Sequence, residues 1–194
     1  GTGAAFPYQW THGFIDFRNL RDKMDRDWFA NSRHAALAAR QYAIDNAHRI
    51  KGLGADSWGM SASISPTTGY SGQYGSQPIG AGYKLLEDGT VAPYGALSFL
   101  PFTPEASLSA LKHMYTIPGL VGKYGLYDAY SYATKAKGEQ PWVAKSYLGI
   151  DKGLVLLMFE NYSTQLIWRL LHQNKFIQKG LRILEFIQVG NDLK

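Results

Sequence analysis

Hydrophobic positions along this chain fall into four helical patterns, separated by long stretches that follow neither a helical nor a strand period. From Leu154 to Phe159 the run is unbroken hydrocarbon and aromatic. At 100° per residue, six such side chains already point in every direction around a helix. A helix that is apolar all round is buried in a larger helical body, so a buried helix is expected from about Asp151 to His172. Upstream, Asp27 fits the N-cap of a helix reaching about Asn46, carried by Ala35-Ala36-Leu37-Ala38-Ala39. Thr103-Pro104-Glu105 reads as another start: a capping hydroxyl, Pro in the first turn and an acid at the positive end of the dipole. That helix extends to about Tyr115, with Leu108, Leu111 and Tyr115 on one face. A last helix begins near Asn174, with Phe176, Ile177, Leu181, Leu184 and Phe186 as its apolar positions. Strand signal is sparse, confined to a hairpin over Tyr83–Val91 with Asp88-Gly89 at its turn. The expected class is all-α with a minor β-hairpin.

The connectors are the second signal. More than fifty residues between Ala47 and Pro101, and a similar segment from Thr116 to Gly149, are rich in Gly, Ser, Tyr and Pro. Long structureless loops are uncommon in compact domains unless functional or disordered. These carry too many aromatics for disorder: Trp58, Tyr70, Tyr74, Tyr83, Tyr94, Tyr124, Tyr127, Tyr130, Tyr132 and Trp142. Rigid rings with polar tips suit a sugar, whose C–H face stacks and whose hydroxyls need partners; the same rings also serve simply to pin loops onto helices.

Glu160 and Asn161 interrupt the apolar helix, with Thr164 one turn later. A glutamate is almost never fully buried unless paired, and a buried charge is costly or takes up a proton. Either Glu160 is satisfied inside the helical body, with Arg169 a candidate partner, or it faces a ligand in a polar cleft. Other carboxylates stand in suggestive settings. Asp16 lies among Phe14, Ile15, Phe17 and Arg18, which fits an Arg pair or a pocket, and Asp128 lies in the aromatic segment Tyr124–Tyr130. Asp22 and Asp56 complete the set with Asp151, which fits equally well as a helix cap. Paired carboxylates beside aromatic platforms are what glycoside hydrolysis requires.

Composition narrows the alternatives. At 194 residues the chain is expected to form one domain over 1–194. Its net charge of +5 comes from scattered cations, and the densest groups, Arg18–Arg26 and Lys175–Arg182, mix with apolar or acidic residues, unlike a nucleic-acid-binding stripe. The absence of cysteine removes disulfides and thiolate chemistry. No apolar run is long enough to span a membrane. The start at Gly1-Thr-Gly, without Met, fits a processed or engineered terminus. The five histidines show no metal-ligand spacing, no metal or other cofactor is expected, and no phosphate-binding loop or nucleophile elbow is present. Asn161-Tyr-Ser163 matches a glycosylation acceptor only by letters, since it falls within the helix.

Several blocks in order then carry a family resemblance: His12-Gly-Phe-Ile-Asp16-Phe-Arg18, Asp27-Trp-Phe-Ala-Asn31-Ser32-Arg33, Asp56-Ser-Trp58-Gly59-Met-Ser-Ala-Ser63, Asp88-Gly-Thr-Val-Ala-Pro93, Leu100-Pro-Phe-Thr-Pro-Glu105, Gly122-Lys-Tyr124-Gly-Leu-Tyr-Asp128, and Leu148-Gly-Ile-Asp151 through Glu160-Asn161 to Trp168-Arg169. From about Phe6 to Phe186 the chain resembles the glycoamylase-like domain family, which includes bacterial endo-β-1,2-glucanases and a region of cyclic β-1,2-glucan synthases. The resemblance implies an (α/α) toroid, here its C-terminal half, with loops at one end forming a sugar cleft. It implies acid–base hydrolysis of a β-linked glucan, β-1,2-linked first among them, in an exported protein of the periplasm or exterior. Asp16, Asp128 and Glu160 are then the catalytic candidates. Trp58, Tyr83, Tyr124 and Trp142 are candidate platforms, and Arg18, Asn161 and Arg169 candidate polar contacts. Where relatives carry acids, this chain has Pro7 and Ile64, which favours the alternative of a carbohydrate-binding or scaffold domain without a complete catalytic pair. A helical interaction domain with no sugar role is a third reading. A half toroid leaves apolar helix faces open, so a homodimer or a partner chain completing the ring is expected.

Overall fold

The computed structural model describes residues 3–76 and 85–189. About 40% of the chain is helical. The helices are α1 (Trp28–Asp45), α2 (Pro93–Leu97), α3 (Pro104–Met114), α4 (Gly149–Ser163), α5 (Leu166–His172) and α6 (Lys175–Ile183). Starts read from capping chemistry hold at two of them: the Asp27 side chain accepts from Ala30 N at 2.8 Å, and the Asn174 side chain accepts from Phe176 N at 2.8 Å. At α3 the Pro sets the start but Thr103 does not cap it. Its hydroxyl turns back to Phe99 O at 3.4 Å.

The buried face of α3 is not the expected one. Ser107, Ala110 and Met114 are buried, whereas Leu108 and Tyr115 are exposed. Small side chains let α3 approach α2 closely enough for Ser107 Oγ to donate to Ala96 O at 2.9 Å. That hydrogen bond and close packing outweigh burial of the larger residues. Likewise, the expected continuous helix from Asp151 to His172 is two helices. Gln165 breaks it at φ +60°. Asn161 explains the break: its Nδ2 donates to Gly13 O at 2.9 Å, and its Oδ1 accepts from Trp168 N, an otherwise free donor in the first turn of α5. Nor is α4 buried all round, for Leu154 and Met158 are buried while Leu156 is 70% exposed.

Strand content exceeds one hairpin, although each strand is only two or three residues long. The strands are β1 (Leu20–Arg21), β2 (Ser63–Ser65), β3 (Gly69–Ser71), β4 (Thr90–Val91), β5 (Val121–Gly122), β6 (Gly125–Leu126), β7 (Ala129–Ser131), β8 (Trp142–Ala144) and β9 (Ile187–Gln188). They form the antiparallel pairs β1–β9, β2–β3 and β5–β6 and a sheet of order β4-β7-β8. Among the described residues, the hairpin expected at Asp88-Gly89 is not formed. Thr90 and Val91 pair with Ser131 and Tyr130, and Leu86 bridges to Tyr74. Asp88 instead accepts from Thr90 N at 3.0 Å and from the Tyr74 hydroxyl at 2.8 Å.

The core lies where the long connectors meet the helices. Trp58 is fully buried and stacks on Phe99 with ring centroids 6.2 Å apart. Tyr74, Tyr94 and Tyr130 are buried as well. The connector backbone crosses α2 at Gly59 and Gly95, where a Cβ on Gly95 would lie 2.2 Å from Gly59 O. Only glycine fits there. Trp58, Tyr74, Tyr94 and Tyr130 are therefore core residues and not platforms. Among the described residues no helix is long and apolar enough to cross a membrane.

Candidate carboxyl site

Two loops and a helix start bring Asp128 and Asp151 together. Asp128 stands between β6 and β7, its N–H donating to Ala144 O of β8 at 3.3 Å. Asp151 sits in the first turn of α4. Both are only 2% exposed. Asp128 Oδ2 accepts from Ile64 N of β2 at 2.7 Å. Among the described residues, no N–H or hydroxyl donor reaches Asp128 Oδ1 or either oxygen of Asp151. The two carboxyls lie close enough for each to shift the other's protonation. Asp151 is thus not a helix cap, since the α4 N-cap makes no side-chain bond at all.

Electrostatics assign the proton. Burial raises Asp151 first, the neighbouring Asp128 charge adds to it, and together they push it up to about 7. Burial also raises Asp128, with the Ile64 N–H, Asp151 and Lys152 acting against that rise. Asp151 is thus the carboxyl of the pair brought near neutrality. A carboxyl poised near neutrality is what general acid–base chemistry needs. Lys152 completes the group. Its Nζ donates to Leu126 O and lies 6.0 Å over the Tyr147 ring. Burial lowers its pKa, against the two carboxylates. With one proton on the pair, this buried cluster is neutral, which limits its cost.

The β2–β3 hairpin beside the pair carries Tyr70, whose phenol is raised by burial and then by Asp151 and Asp128. The buried Tyr94 hydroxyl donates to Ser61 Oγ at 2.8 Å. Lys152 also borders a cavity of about 590 Å³, lined by Tyr94, Tyr124, Leu126, Tyr147 and Phe159 among others. Tyr124 is exposed there, its N–H donating to the Tyr147 hydroxyl at 3.1 Å.

Of the residues expected from sequence, the structure brings only Asp128 into this pair and places Tyr124 at the adjacent cavity. Glu160 lies nine residues along α4 from Asp151, about 13 Å by helical rise. It accepts from the Thr164 hydroxyl within its own helix, and Arg169 is exposed. Asp16 is held by Arg18 in a bidentate pair, closest at 2.6 Å. The same guanidinium stacks 4.6 Å over Trp168 and donates to Gln165 Oε1 at 3.0 Å. This clasp ties the N-terminal segment to α5. Trp58 has no free face for stacking, Asn161 is spent on the α4–α5 break, and Trp142 is half-buried in β8. Tyr83 lies outside the described residues. Asp151, Lys152 and Tyr70 are the additions. A sequence signal existed for Asp151, which precedes Leu154 and Met158 by three and seven residues on the face that proves buried. Among the described residues, no group of three or more His, Asp or Glu is placed to hold a metal ion.

The model of the Glycoamylase family, described as "Putative glucoamylase", matches residues 1–175. The chain belongs to this family. It is 31% identical over 189 residues to an exo β-1,2-glucooligosaccharide sophorohydrolase (non-reducing end) of Parabacteroides distasonis, covering 96% of this chain and 24% of that protein. A crystal structure from Bacteroides caccae bearing the family's description aligns with TM-score 0.84 at 32% identity, over 97% of this chain and 42% of the other. An endo-β-1,2-glucanase from Chitinophaga pinensis, in complex with sophorotriose and glucose, aligns with TM-score 0.81 at 34% identity, over 95% and 41%. The chain therefore spans well under half the length of the family members it matches.

Proposed function

We propose that this chain is part of a glycoside hydrolase acting on β-1,2-linked glucan, with Asp151 as its proton-carrying carboxyl. The observation that carries this reading is the buried Asp128–Asp151 pair, in which burial and the Asp128 charge push Asp151 up to about 7, in a family whose relatives include β-1,2-glucan hydrolases. Glycosidases need two carboxyl functions about 5 Å apart or more across the scissile bond. Asp128 and Asp151 perturb each other's protonation and are taken as one function, with Asp128 tuning Asp151 and the opposing carboxyl coming from outside the pair. The greater length of the family members offers a source for it. The same reading treats the helices as half of an (α/α) toroid. Leu156, with Ile150 and Tyr162 near the ends of α4, is then covered by the rest of a longer polypeptide, a second copy or a partner chain. Action outside the cytoplasm suits a polymeric glucan substrate.

The test is reducing-end release from β-1,2-glucan by the purified chain and by Asp151→Asn, with tryptophan fluorescence followed in parallel. Turnover that disappears in the variant supports the assignment; equal turnover overturns it. One observation favours a second reading, a glucan-binding unit without complete catalytic machinery: both carboxyls are 2% exposed. A fluorescence response to glucan without reducing ends, and unchanged in Asp151→Asn, favours that reading, and no response at all removes both.

A further inference from the structure

The β2–β3 hairpin is fastened to the carboxyl pair by its backbone. Ile64 and Tyr70 are cross-strand partners. The Ile64 N–H points away from β3, to Asp128 Oδ2 at 2.7 Å. That makes Ile64–Tyr70 a non-hydrogen-bonded pair, the kind in which the two residues approach most closely, with Cα atoms about 4.5 Å apart. Asp128 therefore takes the place of a third strand along the outer edge of β2, and it fixes how far Tyr70 stands from the pair. The turn is rigid in its own right. Ser65 Oγ accepts from Thr67 N at 3.1 Å and Thr68 N at 3.3 Å, and Gly69 takes φ +76° at the corner. Such a scaffold would normally present a side chain for packing. Tyr70 is instead 59% exposed. It is unlike Tyr94, Tyr74 and Tyr130, whose rings are buried and whose hydroxyls are spent on Ser61, Asp88 and Ser57. It also differs from exposed Tyr115 and Tyr124, which line the cavity that Lys152 borders and Tyr70 does not.

We propose that Tyr70 is a specificity-determining contact: its ring is the stacking surface for the glucose unit that approaches the Asp128–Asp151 pair. The proposal rests on the glucan reading above and adds the residue that aligns the sugar. A ring held at one edge of the site and free on its outer face suits the C–H face of a pyranose. Its hydroxyl, within the field of both carboxyls, is placed to donate to a sugar oxygen or to water between sugar and carboxyl.

Isothermal titration of wild type, Tyr70→Ala and Tyr70→Phe with β-1,2-linked glucooligosaccharides tests this, with β-1,3- and α-1,4-linked oligosaccharides as comparators. Because the side chain is exposed, both variants are expected to melt with the wild type. Tyr70→Ala is expected to weaken β-1,2 binding about tenfold and to narrow the preference over the comparators, while Tyr70→Phe stays within about threefold. Undiminished binding by Tyr70→Ala, with the wild type binding normally, overturns the Tyr70 assignment and leaves the glucan reading intact. Equal losses in both variants overturn ring stacking. No binding of any glucan by the wild type overturns the glucan reading and this assignment together.

Discussion

Two carboxylate sites in this molecule start from the same materials and end differently. Asp16 and Asp128 both sit in irregular backbone next to a helix, each with a cation nearby. At Asp16 every acceptor is met: Arg18 Nε and Nη2 bind it in a fork, and Arg18 N–H adds a third donor. At Asp128 one oxygen is met by a single backbone N–H, and the remaining acceptor capacity turns to a second buried acid. The nearby cation does not close that gap: Lys152 Nζ donates to Leu126 O and makes no ion pair with either carboxyl among the described residues. A satisfied carboxylate is a structural tie. An unsatisfied pair, kept buried at a cost in stability, is where chemistry is expected. The contrast can be broken or sharpened by substitution.

The largest effect is expected at Asp151. Its folded-state pKa of about 7 stands above its ordinary value of 3.8, so the folded state holds a proton that the unfolded state has released. This group's stabilising contribution is complete below about pH 4 and is lost as pH rises toward 7. Asp151→Asn removes the loss. Urea denaturation at pH 8 is expected to show the variant more stable than the wild type, by up to about 4 kcal/mol, with the gain vanishing near pH 4. A destabilised Asp151→Asn at pH 8 would place Asp151 among the structural ties.

His12 supplies an opposite slope. Burial lowers it from 6.5 to about 4, its Nε2 bonded to Ser32 Oγ at 2.9 Å within a ring of Phe17, Phe29 and Phe102. Here the unfolded state binds the extra proton. Stability is complete above pH 6.5 and falls as pH drops toward 4, by up to about 3 kcal/mol. In the wild type the two slopes oppose each other across the same range. Asp151→Asn should therefore expose a stability that climbs from pH 4 to 6.5, and His12→Gln in that background should flatten it.

Breaking the satisfied site costs less. The Arg18–Asp16 fork is partly exposed, with side chains 35% and 21% accessible, so Arg18→Met is expected to lose about 1–2 kcal/mol. Glucan affinity should not change. A selective loss of affinity would move the Asp16 clasp into the binding site.

How much of this was legible beforehand follows from the range of the interactions. Asp27 and Asn174 set helix starts through bonds two or three residues away, and local chemistry of that kind can be read from sequence. The small sheets cannot: β1 meets β9 across more than 160 residues, and β4 meets β7 across 40, each pair only two residues long. The break at Gln165 was hidden for a similar reason, since Asn161 gains its partner Gly13 only when the N-terminal segment folds over α4. Asp128 could be singled out from its aromatic surroundings. Its pairing with Asp151 depends on the β6–β7 connection meeting the start of α4, which no local pattern records.

The smallest effect is expected at the carboxylate that stands out most in the sequence. Glu160 follows an unbroken apolar run, but α4 turns it away from the buried face that Asp151, Leu154, Met158 and Asn161 share. It is only half-buried, and among the described residues its one side-chain partner is the Thr164 hydroxyl, a donor that a glutamine oxygen accepts equally well. No buried charge needs a counterion here, so neutralising it leaves no donor or acceptor stranded. Glu160→Gln is expected to change stability by less than about 0.5 kcal/mol and to leave glucan binding and its pH profile where they were. If instead that single substitution shifts the profile as Asp151→Asn does, two unlike sites share one titration, and the division between tie and reactive pair must be redrawn with Glu160 on the reactive side.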